Sequence, residues 1–183
     1  MKERRVSLKN GTEITLKSIS ENEAALALNF LKSIIADTPT LTFTPSEVNS
    51  LDVKTEHDIV LNHEKSKTEI MIGAYLDGKI IAICTVAGIS SKAKYRHRAE
   101  LGIAVVREYW NLGIGSALMR TALDFAAKVG YEQVELETAN DNVNAIVLYD
   151  KFEFKPVGLI PHAQKANGQY SDFLRYVKFL KEN

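Results

Sequence analysis

Two glycines, a tyrosine and a glutamate are the residues in this sequence whose types and spacing could do chemistry. In Leu112-Gly113-Ile114-Gly115-Ser116 the glycines let main-chain N–H groups approach an anion closely, where the chain opens a helix with its positive dipole end. That is equipment for a pyrophosphate, although small residues there also let a helix pack close to a strand. Two nucleotide motifs are excluded. No Gly-Lys-Ser/Thr follows, as a P-loop requires, and Leu118 stands where a dinucleotide fingerprint has its third glycine. Downstream, Tyr149 follows Asn142 by seven residues, about two helical turns, so the pair shares nearly one helix face. A phenol so placed can give a proton to a leaving group, or can simply sit at the edge of a core. Upstream, Glu100 precedes the run Leu101-Gly102-Ile103-Ala104-Val105. A carboxylate desolvated by apolar neighbours suits proton abstraction; the alternative is an ion pair with Arg98 or Lys94.

The elements that must position these groups are legible from period and punctuation. Arg5-Val6-Ser7-Leu8 and Glu13-Ile14-Thr15-Leu16 flank Asn10-Gly11, and residues 69–76 and 79–90 flank Asp77-Gly78; both dipeptides predict hairpins. Ser20-Glu21-Asn22-Glu23 is a capping box that opens a helix running to about Ala36. Residues 37–46 read as a loop or a short helical turn, and 53–67 as a mostly exposed helix. The run Ile80-Ile81-Ala82-Ile83-Cys84-Thr85-Val86-Ala87 is apolar on both faces, as a covered central strand would be. Beyond it come a basic turn at 92–98, a strand at 98–106, a helix at 113–129, a strand at 132–138, a helix at 142–151, and strands at 154–157 and 173–180. The prolines at 39, 45, 156 and 161 are expected between elements. The class is α/β, a mixed sheet with helices on both faces.

Bulk properties narrow the partners. A chain of 183 residues fits one domain, read as 1–183, and 23 basic against 23 acidic residues give no field that would favour nucleic acid. No apolar run approaches the ~20 residues of a membrane span, and the lone Cys84, mid-strand, reads as core. His57, His63, His97 and His162 share no metal spacing with one another or with Cys84, so no metal is expected. The default is a cytoplasmic protein with no membrane or nucleic-acid partner; a homodimer is left open.

Two runs together resemble one family. Trp110-Asn111-Leu112-Gly113-Ile114-Gly115 is similar to the Arg/Gln-x-x-Gly-x-Gly/Ala motif of the GNAT superfamily of N-acetyltransferases, with Trp110 in place of Arg or Gln. Asn142-Val143-Asn144-Ala145-Ile146-Val147-Leu148-Tyr149-Asp150-Lys151-Phe152-Glu153-Phe154 resembles its Asn-x-x-Ala-x-x-x-Tyr-x-x-x-Gly-Phe. Glu153 there replaces a glycine that ends a helix in the left-handed conformation, which is costly for Glu. The resemblance implies a single-domain GNAT fold, with a mostly antiparallel sheet of about six or seven strands and a splayed central pair formed by the strands at 98–106 and 132–138.

It also implies acetyl-CoA as co-substrate. Asn111, Leu112, Gly113, Ile114, Gly115 and Ser116 would hold its pyrophosphate. Ile103, Ala104 and Val105 would present main-chain groups to the pantetheine arm, one N–H polarising the thioester carbonyl, and Asn142 would hold the amide-bearing part of that arm. Tyr149 would protonate the departing thiolate, and Glu100 matches a strand glutamate that serves as general base in some relatives. The acceptor would be a primary amine, of a small molecule more than of a protein N-terminus, attacking directly in a ternary complex and selected by segments 37–50 and 158–172. A non-catalytic CoA-binding sensor on the same fold is the reading from another class.

Overall fold

The computed structural model describes residues 1–35 and 43–181. Eight strands form one sheet: β1 (Arg4–Ser7), β2 (Glu13–Ser18), β3 (Ile70–Leu76), β4 (Lys79–Gly88), β5 (Arg98–Val105), β6 (Gln133–Ala139), β7 (Lys155–Ala166) and β8 (Gln169–Phe179), in the spatial order β1-β2-β3-β4-β5-β6-β8-β7. This exceeds the six or seven that the resemblance implies and equals the eight strand segments named along the sequence. The helices are α1 (Ala24–Ile35), α2 (Pro45–Ser50), α3 (Val53–Lys65), α4 (Ile114–Lys128) and α5 (Val143–Lys151). Of the segment expected as a loop over 37–50, the described part contains α2, with Pro45 in its first turn and Thr44 Oγ1 accepting from the Glu47 N–H at 3.3 Å. Pro39 and Ala36, the expected end of the first helix, lie outside the described residues.

Both predicted hairpin turns form. Asp77 and Gly78 take positive φ of 48° and 76°, as a two-residue turn between twisted strands demands. The tail departs from expectation. Residues 158–172 are not a loop but the body of the β7–β8 hairpin, turning at Asn167-Gly168, and Pro156 and Pro161 lie inside β7 rather than between elements. β7 tolerates them because it is the sheet's edge strand and its register shifts at Pro156/Gly158 and Ile160/Gln164.

The sheet is covered on both faces near its centre. On one face α4 inserts Leu118, Met119, Ala122 and Ala126 against Ala99 and Leu101 of β5, Val134 and Leu136 of β6, and Cys84 and Val86 of β4. On the other, Ala27, Phe30 and Ile34 of α1 and Val60 of α3 pack with Met71, Tyr75 and Ile80. Full burial of side chains such as Leu118 and Met119 contributes roughly 1.5–3 kcal/mol each, so α4 is held by its apolar face.

The decisive feature is the junction of β5 and β6, the only parallel neighbours among the described residues. They pair through Arg98↔Gln133, Ala99↔Val134 and Glu100↔Glu135 and then part. From there β5 stays with β4 as far as Val105↔Ala82, while β6 stays with β8 as far as Ala139↔Phe173. Each strand therefore keeps one neighbour and leaves its inner edge unpaired, and the sheet opens as a wedge.

Candidate active site

The chain leaves β5 and enters α4 through a tight turn. Asn111 has φ of 62° and Gly113, the N-cap, has φ of 100°, left-handed values that Asn tolerates and Gly adopts freely. The first intrahelical bond is Ala117 N–H to Gly113 O at 3.0 Å, so the N–H groups of Gly113, Ile114, Gly115 and Ser116 have no partner inside the helix. Gly115 has a packing reason as well: a Cβ there would lie 3.2 Å from Leu148 Cδ2, so its absence lets α4 and α5 approach. Trp110 fixes the turn from the other side, its indole Nε1 donating to Val105 O at 2.7 Å. The carbonyl of Val105, expected to face a ligand, is thus already engaged at the strand's end.

A cavity of about 340 Å³ runs from this turn to the strand wedge. Ile103, Ala104 and Val105 of β5, Glu137 and Thr138 of β6, the turn residues Asn111, Gly113, Ile114, Gly115 and Ser116, and Asn142 and Tyr149 line it, together with Lys9 and Lys151. Ten of the twelve residues named from sequence come together here. Leu112 does not line the cavity; it packs against the core. Glu100 also stands off it.

Tyr149 is placed with little freedom. It is 4% exposed, and its ring meets those of Phe154 at 6.0 Å and Tyr176 at 5.5 Å between centroids. α5 ends in a Schellman motif, with Phe154 N–H bonded to Tyr149 O and Glu153 N–H to Asp150 O, both at 3.0 Å. Its hydrophobic contact is the Tyr149–Phe154 pair, so the helix cap also clamps the tyrosine. Glu153 supplies the left-handed residue, at φ of 61°. Burial pushes the Tyr149 phenol well above its ordinary range, with Cys84 and Tyr176 adding to it, so the group keeps its proton. Burial likewise pushes the Cys84 thiol up to about 12, which leaves no thiolate to act as a nucleophile. Asn142, which lines the cavity, caps α5, its Oδ1 accepting from Ala145 N–H at 3.3 Å, which commits the oxygen and leaves the amide NH₂ as the donor.

The acids are arranged differently from the expectation. Glu100 is exposed, not set among apolar neighbours, and among the described residues it has no ion pair. Arg98 instead holds Glu135 in a two-pronged bond, Nε to Oε1 and Nη2 to Oε2, the latter at 2.9 Å. Burial works to raise the Glu135 carboxyl, but Arg98, Gln133 and Arg175 outweigh it and hold it below the usual range. Two residues further along β6, Glu137 is the one carboxylate among the cavity's lining residues, and Arg175 Nε donates to it at 2.7 Å. Sequence reasoning passed over Glu137. Its signal was the alternation Gln133, Glu135, Glu137 on one face of an interior strand whose intervening residues Val134 and Leu136 are apolar.

Ala99, Leu101, Val134 and Leu136 face α4, so Glu100, Glu135 and Glu137 belong to the opposite face, while Tyr149 comes from the α5 side. The wedge joins the two. A fold of this architecture, with a cradle of N–H groups beside parted parallel strands and a buried tyrosine at their opening, defines a class of acyl-group transferases. A family model for the acetyltransferase (GNAT) family matches residues 31–154, and the chain belongs to that family.

Among relatives of known description, the chain is 30% identical over 100 residues to the L-amino acid N-acetyltransferase AaaT of Escherichia coli, which covers 54% of this chain and 61% of that protein. It is 41% identical over 102 residues to human N-acetyltransferase 8, covering 55% and 45%. The chain thus spans about half the length of these curated relatives. Among solved structures, the fold is similar to a GNAT-family acetyltransferase from Streptococcus pneumoniae, with a TM-score of 0.85, 23% identity and coverage of 91% of this chain and 99% of that one. It is also similar to yncA from Salmonella typhimurium, solved with its cofactor acetyl-CoA, with a TM-score of 0.81, 14% identity and coverage of 93% and 95%.

Proposed function

We propose that this protein transfers the acetyl group of acetyl-CoA to a primary amine of a small molecule by direct attack in a ternary complex. The observation that carries the reading is the wedge beyond Glu100↔Glu135, bordered on one face by Tyr149 and the cradle and on the other by Glu137. The donor enters from the α4–α5 side and the acceptor from the Glu137 side. The N–H groups of Gly113 to Ser116 take the pyrophosphate, the free edge of β5 at Ile103 and Ala104 pairs with the arm, and the amide of Asn142 assists it.

The amine lone pair attacks the thioester carbonyl carbon, an N–C bond forms and the C–S bond breaks. Tyr149 gives its proton to the departing sulfur, and the nitrogen loses a proton to a carboxylate, directly or through water. Glu137 is the better placed acceptor for that proton, since it borders the cavity. Glu100 stands at the closed end of the wedge, where its charge draws a cationic amine to the face. Most of the rate comes from holding the two reactants together, since proximity and orientation can be worth roughly 7–11 kcal/mol.

The test mixes the protein with acetyl-CoA and a panel of L-amino acids, polyamines and peptide amino termini while thiol release is followed. AaaT, an L-amino acid N-acetyltransferase, makes amino acids the first members of the panel. Turnover on a small amine is expected, with Glu137→Gln losing more kcat than Glu100→Gln. Stabilisation by CoA without turnover on any amine would replace this reading by a sensor, and turnover on peptide N-termini alone would replace the acceptor.

A further inference from the structure

Arg175 of β8 and Glu137 of β6 are direct register partners, so their side chains share the face of the sheet opposite α4. Nε of the guanidinium donates to Glu137 Oε1 at 2.7 Å, and Nη2 is paired with the same oxygen. Among the described residues Glu137 Oε2 has no hydrogen-bond partner. Two residues earlier on β6 the pattern is different. Arg98 divides its prongs between Oε1 and Oε2 of Glu135, and Gln133 Nε2 adds a bond to Oε1 at 2.8 Å, so both oxygens of that carboxylate are committed. Of these two paired carboxylates, Glu137 is the one that keeps an oxygen free, and it is also the one that lines the cavity.

The surroundings turn Arg175 toward Glu137. On its β7 side the register partner is Gly158, which offers no side chain, and a Cβ built there meets nothing within 4 Å. The charge of Arg175 also acts on Glu135, behind Arg98 and Gln133 in effect. Arg175 is not among the residues lining the cavity, so it reaches the chemistry through Glu137. Stability does not account for the pair. Its side chains are 48% and 31% exposed, and an ion pair so open to water contributes little to folding. What the contact supplies is direction: an unheld glutamate on an open strand face samples several rotamers, whereas two donors converging on one oxygen restrict the carboxylate and leave the other oxygen to work.

Resting on the reading of Glu137 as acceptor of the amine proton, we infer that Arg175 is a positioning residue for the transfer: it pins Glu137 Oε1 and so reserves Oε2 for the attacking nitrogen. In the step concerned the N–H bond breaks and an Oε2–H bond forms, and that proton passes to solvent before the next turnover. Arg175 exchanges no proton, since a guanidinium stays charged throughout. Because both of its prongs fall on one oxygen, a single ammonium can take its place, which a carboxylate gripped on both oxygens, such as Glu135, would not allow.

The test follows thiol release with acetyl-CoA and the panel amine that the parent acetylates fastest, in the parent, Arg175→Met, Arg175→Lys, Glu137→Gln and the double variant Glu137→Gln/Arg175→Met. Arg175→Met should lower kcat about tenfold to a hundredfold, part of what a positioned base is worth, with KM for acetyl-CoA unchanged. Arg175→Lys should recover kcat to within about threefold of the parent. The double variant should match Glu137→Gln alone within about twofold, since a residue that acts through another has no effect once the other is gone. The rise in melting temperature given by CoA should be the same in every variant, a readout of folding and of the donor site that does not depend on turnover. An Arg175→Met kcat within about twofold of the parent, or an equal loss of kcat when Arg175→Met is added to Glu137→Gln, overturns the inference and leaves Glu137 as the base. A Glu137→Gln protein that turns over like the parent removes the base itself, and the role of Arg175 falls with it.

Discussion

Replacing Tyr149 by Phe removes one oxygen and leaves everything that holds the ring. The contacts with Phe154 and Tyr176 are made by ring carbons, and among the described residues no group hydrogen-bonds the phenol oxygen. Stability should therefore change by less than about 0.5 kcal/mol, a melting shift of no more than about 2 °C for a chain of this size. Binding of CoA should be unaltered, because the cradle and the strand edge are untouched. Turnover should not survive so well. A positioned general acid is worth about 10²–10⁴ in rate, or roughly 2.7–5.4 kcal/mol of barrier at about 1.36 kcal/mol per tenfold. Because burial holds the phenol above its ordinary range, Tyr149 keeps its proton across the working pH range. The substitution should therefore lower the whole pH–rate profile without moving its limbs. Thiol release measured under saturating acetyl-CoA, alongside a thermal melt with and without CoA, supplies both halves of the test. A kcat within about threefold of the parent, with folding intact, would remove Tyr149 from proton transfer.

Two further outcomes follow from the geometry around the site. Glu153→Gly relieves a left-handed Glu at a cost of roughly 1–2 kcal/mol, against roughly 0.5–1 kcal/mol of added backbone entropy and the small worth of an exposed ion pair with Lys178. A net gain of about 0.5 kcal/mol is expected by chemical denaturation, and a loss would mean that the Schellman cap is not strained. Glu135 has a native carboxyl below its ordinary value of 4.5, so its contribution to stability is fully present above that value and is lost as pH falls through the lower native one. Glu135→Gln should cost roughly 1.5–3 kcal/mol at neutral pH through the weakened Arg98 bond, and should flatten the acid side of the stability curve. An unchanged acid slope in that variant would assign the loss to other carboxylates.

What was legible in the sequence follows from how local each feature is. The turns at Asn10-Gly11 and Asp77-Gly78, the cap at Asn142, the glycines before α4 and the two helices that carry the motifs are dictated by backbone sterics and side-chain period within a few residues. Tyr149 was legible for the same reason, since seven residues along one helix fix its face relative to Asn142. Glu100 and Glu137 illustrate the opposite case. Both are strand glutamates two residues or fewer from the same pair, Glu100↔Glu135, and nothing local says on which side of that pair the strands part. The length of the β7–β8 hairpin was missed because its prolines read as breakers, and only the edge position of β7 in the sheet makes them tolerable.

The sequence by itself determined most of the elements, the glycine turn before α4 and the shared helix face of Asn142 and Tyr149, because these depend on short-range conformational preference and on residue spacing. The tertiary structure decided which residues share the cavity. The wedge exists because β5 keeps β4 and β6 keeps β8 while the two let go of each other, a choice made by pairings far apart in the chain. That choice brings Glu137 to the opening and leaves Glu100 at its closed end. The packing of the N-terminal hairpin onto the Leu112 carbonyl brings Lys9 to a turn about a hundred residues away, and no periodicity in the sequence could record that contact.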